Sequence, residues 1–274
     1  MEIKVIKKEA KSYLKGNWGT AIGSMFIMGL IVMAINFVVS MVSGLSTMLQ
    51  MIPLSYMENS EEAMLALIPA FIGSLGVIIV FSIVVALVQQ LLSVGYKWAL
   101  LDLIDGKNYS VGSLFQGFNR TSFKTIGLII MMGIFTGLWS LLFIVPGIIK
   151  SYSYSQALNI LKDNPEIGIM DAITASRKLM DGKKGQLFVL QLTFILWYVI
   201  PVIVLILVIV LLGALGGSNE SNGFFLAFAL LGYFALMIYI LVINFYIYPY
   251  LTTSEQNFYR HLTDVKIDEK IAEI

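Results

Sequence analysis

The stretch PGIIKSYSYSQALNIL, residues 146–161, decides how many times this chain crosses a membrane. In an α-helix, its polar side chains would lie on one face, at i, i+1, i+4, i+5 and i+8: Ser151, Tyr152, Ser155, Gln156 and Asn159. Such a helix can cross a bilayer if that face contacts protein or water instead of lipid. The pattern favours a short membrane span, and a re-entrant segment is the alternative.

The chain on both sides of this stretch is strongly apolar. Five segments are long enough to cross a bilayer, which takes about 20 helical residues: residues 19–44, 70–95, 123–145, 186–212 and 223–248. With 58% hydrophobic and 13% charged residues, the composition is outside the range of ordinary soluble proteins. The sequence therefore predicts an all-α, polytopic membrane helix bundle, a single domain over residues 1–274.

The basic residues predict the orientation. If only five segments cross, nine of the 18 Lys and Arg residues fall on each side of the membrane. If residues 146–161 also cross, 17 fall on one side and only Lys150 lies near the other, where the loops carry Glu58, Glu61, Glu62 and Glu220. Because basic residues that flank spans stay in the cytoplasm, we expect six spans with both termini cytoplasmic.

Three amphipathic segments precede the first, third and fifth spans, at residues 2–15, 110–119 and 165–181. We interpret the chain as three repeated units, each an interfacial helix followed by a helical hairpin. The apolar face of each interfacial helix would lie among the lipid headgroups. The expected headgroup contacts are Lys4, Lys8, Lys11, Arg177 and Lys178. In the third unit, the run Asp163-Asn164-Pro165-Glu166 matches the signals that begin a helix: an Asx N-cap, Pro at the first helical position and Glu in the first turn.

The polar face of residues 146–161 is the candidate ligand path: Lys150, Ser151, Tyr152, Ser155, Gln156 and Asn159. Ionisable groups inside a membrane are costly, which favours a functional role. Other polar residues within spans could converge on it: Asn36, Gln89, Gln90, Gln191 and Asn244. The alternative is that these side chains only hydrogen-bond neighbouring helices, while Lys150 extends to the outer surface.

Signals for catalysis or cofactors are weak. The chain has no Cys, and its single His261 lies in the C-terminal tail. We therefore expect no catalytic residues, no metal site, no cofactor, and no nucleic-acid partner, since a basic tail is missing. The pairs Gly19/Gly23 and Gly133/Gly137 have the spacing of close helix packing.

Four segments resemble an uncharacterised bacterial integral membrane protein family, domain of unknown function 975: LKGNW (14–18), IVPGIIKSYSYSQ (144–156), DNPEI (163–167) and ASRKLMDG (175–182). The resemblance implies a multi-pass protein of the bacterial cytoplasmic membrane and offers no catalytic residues. That family looks distantly similar to the membrane portions of some glycerophosphodiester phosphodiesterases, whose catalytic domain has no counterpart in this chain.

Two functions fit these patterns. The first is a non-enzymatic protein that binds, senses or helps to transport a lipid-like or small amphiphilic ligand, with membrane lipids as partners. The second is a scaffold or accessory subunit that docks an unidentified membrane or cytoplasmic protein. A large polar cavity would favour the first, and an apolar cytoplasmic patch over a filled core would favour the second.

Overall fold

The computed structural model describes residues 2–54, 60–215 and 222–272. These residues form helices and no strand, which confirms the all-α prediction. The α-helices are α1 (Ile3–Leu14), α2 (Trp18–Leu54), α3 (Ser60–Ile104), α4 (Ser122–Leu142), α5 (Ile144–Tyr154), α6 (Ala157–Asp163), α7 (Ile169–Leu179), α8 (Lys184–Leu215) and α9 (Asn222–Ala272). A 3₁₀ helix, Val111–Phe118, lies between α3 and α4.

Within the described ranges, five segments are long and apolar enough to span a membrane: Trp18–Leu49, Ile72–Ile104, Ser122–Leu142, Lys184–Leu211 and Ala227–Asp264. They correspond to the five apolar segments of the sequence. The helices α3 and α9 continue well past the predicted span ends at residues 95 and 248. The predicted outer-loop residues Glu58 and Glu220 lie outside the described residues.

Residues 146–161 do not form the single helix that the sequence predicts. The helix α5 ends at Tyr154 and α6 begins at Ala157. The hydroxyl of Ser176 on α7 accepts a hydrogen bond from the Gln156 N–H (3.2 Å) and donates one to the Ser153 carbonyl (2.8 Å). A side chain that inserts in this way into the backbone ladder interrupts a helix. The break is therefore caused by a residue on another helix.

The helices α4 and α5 form a tight hairpin with an apolar tip. A single extended residue, Phe143, joins them. Gly147 packs so closely on Ser140 that an added Cβ would lie 2.9 Å from the Ser140 Cα. At the tip, the side chains of Leu141 and Ile144 are 84% and 75% exposed, and Phe143 is 73% exposed. The tip thus presents large apolar side chains outward.

The buried core lies at one end of the bundle, which we call the base. It contains α1, α6, α7, the first turns of α8 and the parts of α3 and α9 near Leu101 and Phe258. Away from the base the helices have few buried residues. In the most apolar 18-residue stretch of each candidate span, at most 17% of the residues are buried. The exposed apolar surface of these spans is suited to contact lipid.

The amphipathic helices α1 and α7 cover the core. On α1, Ile6, Ala10 and Leu14 are buried against α3 and α9, while Lys4, Lys8 and Lys11 are exposed. On α7, the buried residues are Ala172, Ile173, Ser176 and Leu179, and Arg177 and Lys178 are exposed. The expectation that these apolar faces lie among lipid headgroups is therefore wrong, because protein covers them.

The predicted amphipathic segment 110–119 is a 3₁₀ helix that packs on α3. An added Cβ on Gly95 would lie 1.8 Å from the Leu114 carbonyl oxygen, and one on Gly117 would lie 2.1 Å from that of Leu91. These two glycines allow the backbones to touch. By contrast, an added Cβ at Gly19, Gly23, Gly133 or Gly137 would have no described atom within 4 Å, so close packing at those pairs was predicted wrongly.

Candidate functional site

A half-enclosed cavity of roughly 420 Å³ lies beside the break between α5 and α6. Four residues of the predicted ligand path line it: Ser151, Ser155, Gln156 and Asn159. The remaining polar lining comes from other helices: Lys97 on α3, Thr136 on α4, Gln191 on α8, and Glu255 and Gln256 on α9. The structure thus brings most of the predicted polar face together with side chains from four further helices.

The helix break positions the amides that line this cavity. Gln156 and Asn159 are 3% and 5% exposed, and the Asn159 Nδ2 donates to the Gln156 Oε1 at 3.1 Å. The Gln156 Nε2 in turn donates to the Ser155 Oγ at 3.1 Å. Because each amide has further hydrogen-bonding capacity, this small network can also serve a bound polar group.

Tyr152 acts from outside the cavity lining. Its hydroxyl donates to the Gln191 Oε1 at 2.6 Å, and the Gln191 Nε2 donates to the Glu255 Oε1 at 2.6 Å. This chain of hydrogen bonds fixes the Gln191 amide and holds one oxygen of the Glu255 carboxylate. Gln191 was expected near the path, whereas Glu255 was not, because the predicted sixth span ends at residue 248.

Two other lining residues that the sequence reasoning missed have unused polar atoms. Gln256 is 2% exposed, and its Oε1 has no hydrogen-bond partner among the described residues. Lys97 forms no hydrogen bond or ion pair within the part of the chain that the structure describes. A buried acceptor without a donor is unusual in a folded protein. The Lys97 ammonium is therefore a charge in the cavity lining that the described protein contacts leave unpaired.

Lys150 lies elsewhere, which corrects its assignment to the path. Its ammonium lies 4.6 Å from the centroid of the Trp139 ring. It lines a second pocket of roughly 330 Å³ with Arg177, Lys178 and Lys184, on the side of α5 that faces α7. Asp181 also lines this pocket and lies 3.9 Å from the Lys184 ammonium. Four basic side chains and one acidic side chain leave the pocket with a net positive charge, which is suited to an anionic group.

Ion pairs at the base link the ends of α3, α6 and α9. The Arg260 guanidinium donates to Asp105 at 2.7 Å and to Asp163 at 2.5–3.0 Å. Lys162 pairs with Asp102 at 2.8 Å. The prediction that Asp163 helps to begin a helix is wrong, since Asp163 ends α6 and the next helix begins at Ile169. In the sequence, Asp105-Gly106 and Asp163-Asn164 lie at similar positions at the ends of their helices. This similarity was the available signal for the two carboxylates that Arg260 pairs with.

Glu9 on α1 contacts two residues of α9. The Asn257 amide donates to its carboxylate at 2.9 Å, and the His261 Nε2 lies 2.6 Å from the same oxygen. The Asn257 hydrogen bond, with His261, holds the pKa of the Glu9 carboxyl below its ordinary value, although partial burial opposes the shift. His261 therefore helps to fasten α1 to the base.

The apolar helices, with their buried base and polar cavity, are those of a multi-pass α-helical membrane protein. More specifically, the chain belongs to the family described as Protein of unknown function (DUF975), whose profile matches residues 1–151 and 141–214. No curated protein and no solved structure matches the chain.

Proposed function

We propose that this chain is a non-enzymatic protein of the bacterial cytoplasmic membrane that binds a lipid-like or small amphiphilic ligand. The observation that carries the proposal is the cavity of roughly 420 Å³ beside the α5–α6 break, in which amides and charged groups converge from α3, the break itself, α6, α8 and α9. Sensing the ligand or helping its transport are the roles that such binding would serve.

The cavity has the mixed polar and apolar lining that an amphiphile requires. Its polar lining includes Asn159 and Glu255, and its apolar lining includes Met132, Leu158 and Leu187. Ligand sites are commonly apolar with a few placed polar groups that fix orientation. A headgroup among the polar residues and the start of a chain along Met132 would satisfy both kinds of lining.

The basic residues support a cytoplasmic base. There is no Lys or Arg between residues 16 and 96, or between residues 185 and 259, which include the segments that connect α2 to α3 and α8 to α9. Every described Lys and Arg lies outside the lipid-exposed parts of these four helices. Since basic residues that flank spans are retained inside, we place the base and both termini in the cytoplasm.

The short length of α5 favours a re-entrant hairpin over a full crossing, although α4 by itself is long enough to span a membrane. Tyr152 is at the level of Gln191, as their hydrogen bond requires. From Tyr152 the helix α5 extends about 8 residues to the tip, or about 12 Å, whereas α8 extends about 24 residues beyond Gln191, or about 36 Å. The tip therefore reaches about 24 Å less far than α8 does. We propose four full crossings and one hairpin that returns to the cytoplasmic side.

The wild-type chain has no Cys, so single-Cys labelling tests this topology. Cys at Asn59 or Asn219 should react with an impermeant reagent on intact cells, and Cys at Gly168 should not. Cys at Phe143 distinguishes a re-entrant hairpin from a full crossing by α4 and α5. Protection of Phe143→Cys supports the re-entrant hairpin, whereas external labelling restores six spans.

A cavity-filling substitution tests ligand binding. Gly133 lines the cavity, and Gly137 does not, yet an added Cβ meets open space at both positions. Gly133→Leu should reduce the lipid that co-purifies with the protein, as measured by native mass spectrometry, and Gly137→Leu should retain it. Equal lipid content in both variants and the wild type would contradict the proposed function.

An exposed aromatic patch favours the second candidate, a scaffold that docks a protein partner. Phe115 and Phe118 on the 3₁₀ helix are about half exposed, and Phe123 at the start of α4 is 89% exposed. The test is complementation of a strain that lacks the protein. If docking is the function, the Phe123→Ser variant should fail to restore the wild-type phenotype, whereas the Gly133→Leu variant should restore it. The opposite pattern supports ligand binding.

A further inference from the structure

The polar atoms that protein contacts leave unsatisfied in the cavity define the chemistry of its ligand. Glu255 on α9 uses one carboxylate oxygen to accept from Gln191, and no described residue donates to the other. A carboxylate oxygen without a donor favours a ligand with N–H donors and positive charge.

A cation lines the same cavity from a different helix. Lys97 on α3 has no ion-pair partner in the described part of the chain, Glu255 included. The Asn159 and Ser155 side chains line the same cavity and add neutral hydrogen-bonding groups. These groups favour an anionic group that accepts hydrogen bonds, such as a phosphate.

A ligand with a single charge would leave one of these two ionic groups without a counter-charge. Removing an unpaired charge from water is costly, so a purely anionic or purely cationic ligand fits poorly. A ligand that carries both charges compensates Lys97 and Glu255 at once. A quaternary ammonium has no N–H and cannot donate to the Glu255 carboxylate, whereas a primary ammonium has three such donors.

We infer that the cavity binds a zwitterion composed of a phosphate and a primary ammonium, with the phosphate at Lys97 and the ammonium at Glu255. The apolar lining residues Met132 and Leu158 make a phospholipid, with ethanolamine as its headgroup, the carrier of this zwitterion. This inference rests on the proposed function and names the ligand class of the same site.

The test compares short-chain lipids that differ in headgroup, added to the purified full-length protein in detergent. Phosphatidylethanolamine should raise the melting temperature with an apparent Kd at least about tenfold lower than phosphatidylcholine or phosphatidylglycerol, as expected for one charge-assisted hydrogen bond. Free phosphoethanolamine distinguishes the source of the zwitterion. If it binds as tightly as the lipid, the lipid part of the inference is overturned.

Two substitutions test whether the preference for phosphatidylethanolamine arises from the cavity. Glu255→Gln keeps the acceptor for Gln191 and removes the negative charge, so the preference for phosphatidylethanolamine over phosphatidylglycerol should disappear. Lys97→Gln should weaken every phosphate-bearing ligand. The matched controls are Glu166→Gln and Lys15→Gln, at exposed positions outside the cavity.

The outcomes separate the two levels of the proposal. If the three lipids bind equally, or if Glu255→Gln keeps the headgroup preference, the zwitterion is overturned and the amphiphile site stands. If neither phosphoethanolamine nor any lipid changes the melting temperature, and Gly133→Leu leaves co-purified lipid unchanged, the proposed function fails as well.

Discussion

Replacing Ser176 by alanine is the sharpest test of how the candidate site is built. Its hydroxyl lies in the break between α5 and α6, where it accepts from the Gln156 N–H and donates to the Ser153 carbonyl. Ser176 is fully buried, and Gln156 and Ser153 are each 3% exposed, so water has little access to any of the three. Ser176→Ala removes both hydrogen bonds and leaves two buried backbone groups without these partners.

The size of the effect follows from these two bonds. A typical intramolecular hydrogen bond contributes about 0.5–1.5 kcal/mol net, so two contribute about 1–3 kcal/mol. If the helix could close the break with its own backbone bonds, the cost would fall, but Gln156 would then rotate away from Asn159. We therefore predict lower stability. If the helix closes the break instead, we expect near-normal stability with a changed cavity.

The assay is reversible unfolding in mixed detergent micelles, with the free energy of unfolding compared between variants. Ser176→Ala should lose about 1–3 kcal/mol. Thr174→Ala, an exposed position on the same helix, should change stability by less than about 0.5 kcal/mol. If Ser176→Ala is as stable as Thr174→Ala and retains lipid binding, the serine does not hold the break open and our explanation of the site is wrong.

Three further substitutions test the base and the second pocket. Gly117→Ala should destabilise the protein by about 1–3 kcal/mol in the same unfolding assay, because its Cβ would meet the α3 backbone, whereas Gly19→Ala should be neutral or stabilising by up to about 1 kcal/mol. Because the pKa of Glu9 is lowered in the folded state, its contribution is present above its ordinary pKa of 4.5 and is lost as the pH falls through the folded value. Between pH 6 and pH 4, Glu9→Gln should therefore lose about 0.5 kcal/mol less stability than the wild type, and equal losses would contradict this role. Lys150→Met should weaken binding of phosphatidylglycerol several-fold, with phosphatidylethanolamine unaffected, because Lys150 lines the basic pocket and not the cavity.

The helices could be predicted from sequence because the membrane imposes a local rule. A chain that crosses lipid must satisfy its backbone within each segment, so about 20 consecutive apolar residues identify a helix without knowledge of its neighbours. The extents of α3 and α9 could not be predicted in this way. Both helices continue into the base, where Tyr96 and Phe258 are buried by other helices and not by lipid.

The candidate site could be predicted only in part, for the same reason. The polar face of residues 146–161 depends on local periodicity and includes four residues that line the cavity. The break within that segment depends on Ser176, about 20 residues further along the chain. Lys97, Glu255 and Gln256 were missed because they lie beyond the hydropathy limits of their spans. A serine on the apolar face of α7 was the one local sign of the break.

The position of Lys150 connects the charge pattern to the shape of the hairpin. With six full crossings it would be the single basic residue near the outer side, although it shares a pocket with Arg177, Lys178 and Lys184. In the proposed topology, a hairpin that turns back within the membrane places Lys150 on the cytoplasmic side with the other 17 basic residues. The same topology would leave the apolar tip at Phe143 in lipid, with the break between α5 and α6 in the cavity that Lys97 and Glu255 also line. Because α5 is short, a ligand in this cavity would have its chain in lipid and its headgroup among the polar residues of the base.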